Sequence, residues 1–461
     1  MPTANSTVFG AEIAPELVDL AQRLVAEAAR RGASAAECVI RQGRELSVAV
    51  RRGQTESIKQ AEGKSLGIRV FRGQQAGVTY SSDLAWDAAL RMLDSALAIA
   101  AHASPDPFAG LPRPGEQGSL PGDLALYSPA AAQVTPQQAL EWALRAERAA
   151  LDSDPRLTNS DGASVDAGEG CKILANSNGF AGAVRRSTCS LSVVPIATQD
   201  GGMQRDYWYT LARDPDGMDS PESVGRIAAQ RTLRRLGARK VPTARVPVVF
   251  DPQAARSLLG HLLEAVSGES VYREASFLAG KLGQQVAASG FTLVDDGTLP
   301  GRFGTSPFDG EGVATRRTPV IEDGRLESYL LNCYAARKLS LATTGNASRA
   351  LAGTPGVSCH NFMLAPGADS PEQIIAGVRQ GLYVTEFMGF GVNAVTGDYS
   401  RGASGLWIED GQLAYPVEEI TVAGNLRDMF RHVVAIGNDP DLRGAIIAPT
   451  LLIEGLTVAG R

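Results

Sequence analysis

The sequence predicts an α+β protein of more than one domain. Three observations carry this. Helical apolar spacing and short β-prone runs alternate in the first hundred residues. The middle and last thirds are strand-rich and punctuated by glycine. The 461 residues exceed what one hydrophobic core usually organises. The expected layout is an N-terminal helix/antiparallel-sheet domain (1–104), a Pro/Gly-rich linker (105–135), a β-rich central domain (136–243) and a strand-rich C-terminal domain (244–461).

Taken in order, Pro15 opens a first helix, Leu17, Leu20, Leu24 and Ala28 give it an apolar face, and Gly32 closes it. From Ala36 to Ser81 come β-prone runs at Glu37–Arg41, Leu46–Arg51, Ser65–Phe71 and Ala76–Tyr80. Gly43, Gly53, Gly63 and Gly73 read as the turns of an antiparallel meander. A second helix, Leu84–Ala101, completes a two-layer unit. Residues 103–135 hold Pro105, Pro107, Pro112, Pro114, Pro121 and Pro129 and show no periodicity.

Thr135-Pro136 opens the next helix, Asn176-Ser-Asn-Gly179 reads as a hairpin turn, and Asp219-Ser220-Pro221 opens another helix. The last domain begins where the strand Val246–Phe250 enters a helix with Asp251 as N-cap and Pro252 at its first position. Strands follow at Phe291–Asp295, Val320–Ile321, Leu326–Leu331, Leu382–Thr385, Leu406–Glu409, Glu419–Ala423 and Leu451–Ile453. Asp323-Gly324 and Asp410-Gly411 are hairpin turns.

Composition excludes several classes. A net charge of −6 disfavours binding to a nucleic-acid backbone. The first residues lack a basic region and an apolar core of the secretory type, and no apolar run reaches membrane-spanning length. The five cysteines are scattered without a CxxC pair, which fits free thiols in a reducing cytoplasm. There is no Walker loop and no GxGxxG after a strand.

Three groups of residues could carry chemistry. His261 and Glu264 share a face of the Asp251 helix, the beginning of a helical zinc site; the bland reading is a structural helix pair. A catalytic zinc needs about three protein ligands and an open position. Cys359 and His360 could complete such a set with His261 and Glu264, although no spacing rule joins them. The third group is Thr396-Gly-Asp-Tyr-Ser-Arg-Gly-Ala-Ser404, read either as a tight turn or as the wall of a peptide cleft. Ser400 has no nearby His in sequence, so a Ser–His nucleophile has no support there.

Several longer motifs occur in one order: Gln204-Arg-Asp-Tyr-Trp-Tyr-Thr210, Gly260-His-Leu-Leu-Glu264, Ser270-Val-Tyr-Arg273, Ser306-Pro-Phe-Asp-Gly-Glu-Gly-Val313, Gly391-Val-Asn-Ala-Val-Thr-Gly-Asp-Tyr-Ser-Arg-Gly402, Pro416-Val-Glu-Glu-Ile-Thr-Val-Ala-Gly-Asn-Leu426 and Val434-Ala-Ile-Gly-Asn-Asp439. With them the chain resembles the TldD/PmbA family, and within it the PmbA branch, also called TldE. The resemblance is dense from residue 200 onward and thin over the first 130. It implies a cytoplasmic zinc metallopeptidase built as a TldD–TldE heterodimer, which degrades unfolded or flexible peptides and trims leader peptides.

In the TldD branch the metal helix carries HExxxH and a later Cys is the third ligand. The corresponding positions here are Leu259, Gly260, His261, Leu262, Leu263 and Glu264, and Gly437–Ile447 contains no Cys. Structural zinc binding is worth on the order of 10–16 kcal/mol over all ligands, so one misplaced His cannot replace them. The resemblance therefore implies that the isolated chain has no catalytic residues and no metal of its own. Zinc is expected on a TldD-like partner, with Asp398, Tyr399, Ser400 and Arg401 as substrate-cleft candidates here. The alternatives are an autonomous metallopeptidase that uses His261, Glu264, Cys359 and His360, and a non-catalytic peptide-binding or regulatory protein. Neither nucleic acid nor membrane is an expected partner.

Overall fold

A computed structural model describes residues 7–351 and 353–460. The α+β class is observed, in two bodies of sheet. The first is an eight-stranded sheet built on unusually long strands: Ala35–Arg51, Gln54–Arg72, Leu157–Asn176 and Phe180–Gln199. Their spatial order is Phe180–Gln199, Leu157–Asn176, Ala35–Arg51, Gln54–Arg72 and then Gln75–Ser81. Thr7–Phe9, Gly202–Arg205 and Trp208–Ala212 also pair with Phe180–Gln199.

Two of the four expected turn glycines are not turns. Gly43 and Gly63 lie opposite one another inside continuous strands. The chain reverses only at Gly53 and Gly73, which have φ of 72° and 60°. Around Gly43 the backbone keeps hydrogen-bonded neighbours on both sides, so no reversal can occur there. The N-terminal and central regions consequently share one sheet.

That sheet has two separate helical covers. At one end Cys38, Ile40, Leu66, Ile68, Val70 and Ile173 pack under the helices Pro15–Arg30 and Trp86–His102. At the other end Leu46, Val48, Val50, Val165, Leu191 and Val193 pack under Pro136–Leu151 and Pro221–Leu233. Each large aliphatic side chain removed from water contributes about 1.5–3 kcal/mol, so each cover is held by its own core. Local sequence starts these helices: Thr135 and Gln138 form a capping box, and the Ser220 side chain accepts from Ser223 N–H.

Residues 105–135 have only the short turn Pro114–Glu116 and the helix Pro129–Gln133. They are nonetheless tied to the C-terminal body. Gly118 and Leu120 donate to the carbonyls of Gly312 and Pro307, and the Arg337 guanidinium donates to the carbonyls of Phe108 and Leu111.

The C-terminal body holds Ala244–Phe250, Gln380–Met388, Asp398–Glu409, Gln412–Asn425 and Leu451–Ala459. Pairing of Thr421–Ala423 with Thr457–Ala459 closes these five strands into a ring. A second sheet contains Leu293–Asp296, Arg317–Glu322, Arg325–Leu326, Phe362–Leu364 and Ile446–Ile447. The expected strand Leu326–Leu331 is shorter, because the backbone of Leu330 turns away to bond Val266 and Gly268. The Asp323-Gly324 and Asp410-Gly411 turns have positive φ at both positions, the type I′ geometry. Among the described residues no helix is long and apolar enough to cross a membrane.

Candidate functional site

The Pro252–Val266 helix joins the two C-terminal sheets. The Asp251 carboxylate accepts from Ala254 N–H at 2.7 Å and starts it. Burial pushes that carboxyl up to about 6, against the pull of the Ala254 amide and Arg231. The inward face of the helix is Ala254, Ala255, Leu258, Leu259, Leu262, Ala265 and Val266.

Leu259 is therefore a fully buried core residue. Gly260 has no side chain, and Glu264 is exposed. His261 is half-buried and points at an aromatic cluster: its ring meets Tyr399 edge-on at 6.0 Å, and Tyr399 meets Phe387 at 5.9 Å. Its buried Nε2 has no hydrogen-bond partner. Burial first, and then Arg401, hold His261 below the ordinary imidazole range.

The segment Thr396–Ser404 is mostly strand rather than turn, since Asp398–Glu409 is continuous. Strand alternation splits the four cleft candidates between two faces. Tyr399 and Arg401 face the helix. Arg401 donates to Ser257 Oγ at 2.7 Å and to Gly389 O at 3.1 Å. Tyr399 is buried beside it, which raises its phenol, and its hydroxyl makes no hydrogen bond of good geometry. Asp398 and Ser400 are exposed on the other face. Asp398 accepts from Thr396 Oγ1 and Asn425 Nδ2, which lowers its carboxyl. No Asp398–Arg401 pair forms. Nor is there a free strand edge, because residues 398–401 bond Val422–Asn425 on one side and Gly391–Asn393 on the other.

Cys359 and His360 stand elsewhere, in the wall of a cavity of about 1020 Å³. Burial, with Asp295 adding to it, pushes the Cys359 thiol up to about 12. His360 places Nε2 2.7 Å from Gly345 O and Nδ1 3.3 Å from Gly304 O. Both ring nitrogens thus face backbone carbonyl oxygens, which occupy the directions from which a metal would be bound. Among the described residues no three His, Cys, Asp or Glu side chains converge as a metal-binding group. The set His261, Glu264, Cys359 and His360 is not brought together, because the helix and the His360 loop serve different packing surfaces. The donor set at Leu259, Gly260 and Glu264 does not fit a zinc ion.

The cavity is the feature that sequence reasoning missed. Its floor is the long-stranded sheet and its opposite wall is the C-terminal body, at Phe303–Gly310, Ala347–Arg349 and Ser358–His360. Gly63, Gly43 and Gly170 lie side by side across three strands, followed by Arg186 on a fourth. In the next row Arg41 lies directly opposite Lys172. The glycines were visible as residues, but their row depends on register between strands about a hundred residues apart.

These features define a class: an α+β protein with a cavity between a long-stranded sheet and a ring-closed C-terminal body. Models of the PmbA/TldA metallopeptidase domain 1, central domain and C-terminal domain match residues 36–100, 129–236 and 243–460. The metalloprotease PmbA of Escherichia coli O157:H7 is 39% identical over 461 residues, with all of both chains covered. A metalloprotease TldD homolog of Haemophilus influenzae is 27% identical over 326 residues, 67% of this chain and 66% of that one. A Bacteroides thetaiotaomicron crystal structure, described as a proposed modulator of DNA gyrase, superposes with a TM-score of 0.91. It is 28% identical, and the match covers 97% of this chain and all of that one. The chain belongs to the PmbA/TldD metallopeptidase family.

Proposed function

We propose that this chain is the TldE-like, metal-free subunit of a heterodimeric zinc metallopeptidase acting on flexible peptides in the cytoplasm. A TldD-like partner would hold the zinc and activate water; this chain would supply part of an enclosed cleft. One observation carries the reading: at the helix where the family expects ligands and a general base, Leu259 is sealed in the core and Gly260 has no side chain. A carboxylate general base typically contributes about 10²–10⁴-fold, and this position offers none. Full-length similarity to a metalloprotease supports the family setting.

The test is elemental analysis for zinc on the chain purified alone and after co-purification with a TldD-like protein. Near-zero zinc alone and about one per heterodimer, with peptidase activity only in the mixture, is the expected result. About one zinc in the isolated chain would overturn the reading.

A further inference from the structure

Several cations of this protein are held by shared carboxylates. Arg44 and Arg185 share Glu169, and the buried Arg69 and Arg349 share Glu37. Lys64 in the cavity lining is in no ion pair among the described residues, and the same holds for Arg41, Lys172 and Arg186. The last three are clustered by register. Arg41 and Lys172 are direct cross-strand neighbours, and Arg186 is diagonal to Lys172, two residues beyond its partner Val184.

Their protein contacts are carbonyls, which position them without neutralising them. Arg41 bonds Arg349 O, and Arg186 Nη2 donates to Thr305 O at 2.8 Å while its buried Nε has no partner. Among the described residues Lys172 has no hydrogen-bond partner. It is half-buried by surface, yet protein surrounds it closely enough that desolvation pushes its ammonium down to about 8. Asp309 opposes this, and Arg186, Arg41 and Arg349 reinforce it. Asp309, also in the cavity wall, is occupied by three backbone donors, Glu311, Val313 and Ala347 N–H. Beside the cluster the glycine row removes side chains from the floor, so an extended chain can lie against it.

We propose that this cavity binds a carboxylate of a flexible peptide, with Lys172 as the central cation and Arg41 and Arg186 beside it. The identity of the ligand as a peptide rests on the peptidase-subunit reading. At about 1020 Å³ the cavity stands at the upper end of the usual range of ligand sites, roomy enough for a peptide segment.

The experiment uses the full chain and fluorescent Gly/Ala/Ser-rich peptides in three forms: C-terminal acid, C-terminal amide, and C-terminal amide with one internal Asp. Fluorescence anisotropy should show the acid binding about tenfold or more tightly than the plain amide. Recovery by the Asp-bearing amide assigns the site to side-chain carboxylates; its absence assigns it to the C-terminus. Lys172→Met should remove the acid's advantage over the amide, whereas Lys172→Arg should retain most of it. Should Lys172→Met fail to fold, Arg186→Gln replaces it with the same expectation of a weakened acid-specific term. Equal binding of acid and amide, wild-type behaviour of both variants, no peptide binding, or tighter binding of inorganic phosphate than of the acid would each overturn the proposal. Zinc-dependent activity with a partner, combined with equal acid and amide binding, would remove this site and leave the peptidase reading standing. Carboxylate-dependent binding, combined with no zinc and no peptidase activity in the mixture with a TldD-like protein, would do the reverse.

Discussion

Glu37 ties the long-stranded sheet to the C-terminal body. It is fully buried on the Ala35–Arg51 strand and meets two guanidiniums, Arg69 from the neighbouring strand and Arg349 from the C-terminal body. Arg349 Nη1 lies 2.5 Å from Glu37 Oε2, and the side chains of both are fully buried. The contact has ion-pair rather than hydrogen-bond geometry, and all three Arg349 side-chain nitrogens lack a hydrogen-bond acceptor. Glu37→Gln keeps the volume and removes the charge, leaving two buried cations against none. Removing one partner of a buried pair costs about 3–5 kcal/mol.

Urea unfolding followed by tryptophan fluorescence would measure the loss, since Trp86, Trp142 and Trp208 pack against the sheet cores and Trp407 lies in the C-terminal core. The linkage has a definite sign. Burial pushes the Glu37 carboxyl up, but Arg349 and Arg69 outweigh it and leave it below the ordinary range. Its contribution is therefore present above the unfolded value of about 4.3 and is lost as pH falls through the folded one. The variant should narrow its gap to wild type on acidification. A stability within ~0.5 kcal/mol of wild type at pH 7, smaller than an ordinary surface substitution's range, would refute the reasoning. Replacing Glu37, Arg69 and Arg349 together with apolar residues should recover much of the loss.

Four other outcomes follow. Gly67→Ala should separate the sheet from the Arg349–Leu351 loop, because a Cβ there would lie 2.1 Å from Leu351 O; faster proteolysis of that loop is the readout. The folded Asp251 carboxyl, at about 6, lies above its unfolded value of about 3.9, so its contribution to stability declines as pH rises between the two, by roughly 3 kcal/mol. Asp251→Asn retains the cap and should gain on wild type in thermal unfolding as pH rises from about 4 to about 6; a pH-independent gap would contradict this. Arg401→Ala loses hydrogen bonds to Ser257 and Gly389 and should cost about 1.5–3 kcal/mol, measured by denaturant titration. In the complex with a TldD-like partner, Asp398→Ala together with Arg401→Ala should lower the peptidase rate on several flexible peptides, and a wild-type rate would remove these residues from the cleft.

Elements with local signals were legible in the sequence. Pro15, Thr135, Ser220 and Asp251 marked helix starts because capping is decided within four residues. Asp323-Gly324 and Asp410-Gly411 marked hairpins because positive φ is demanded there. Gly43 and Gly63 misled because glycine serves mid-strand as readily as in a turn, and only the partner strand distinguishes the two. The same limit hid the cavity. That Arg41 faces Lys172, while Asp398 does not pair with Arg401, is fixed by register and alternation, which no local composition reveals.

The motifs that carry the family likeness largely hold backbone in place. Within Ser306–Val313, Asp309 accepts from three backbone amides and Glu311 from the Cys333 amide at 2.8 Å. In Val434–Asp439 the Asp439 carboxylate accepts from Thr450 N–H and Oγ1. Gly391 is required because a Cβ would lie 1.8 Å from Ser400 O. Such residues preserve loops and the cavity wall whether or not a metal is bound. Leu259 and Gly260 sit on a helix anchored by its apolar face, where replacing a ligand with leucine adds core packing and disturbs none of those loops. Architecture and metal chemistry are thus separable in this fold. A chain that lacked the second would still keep the cavity wall that these residues hold.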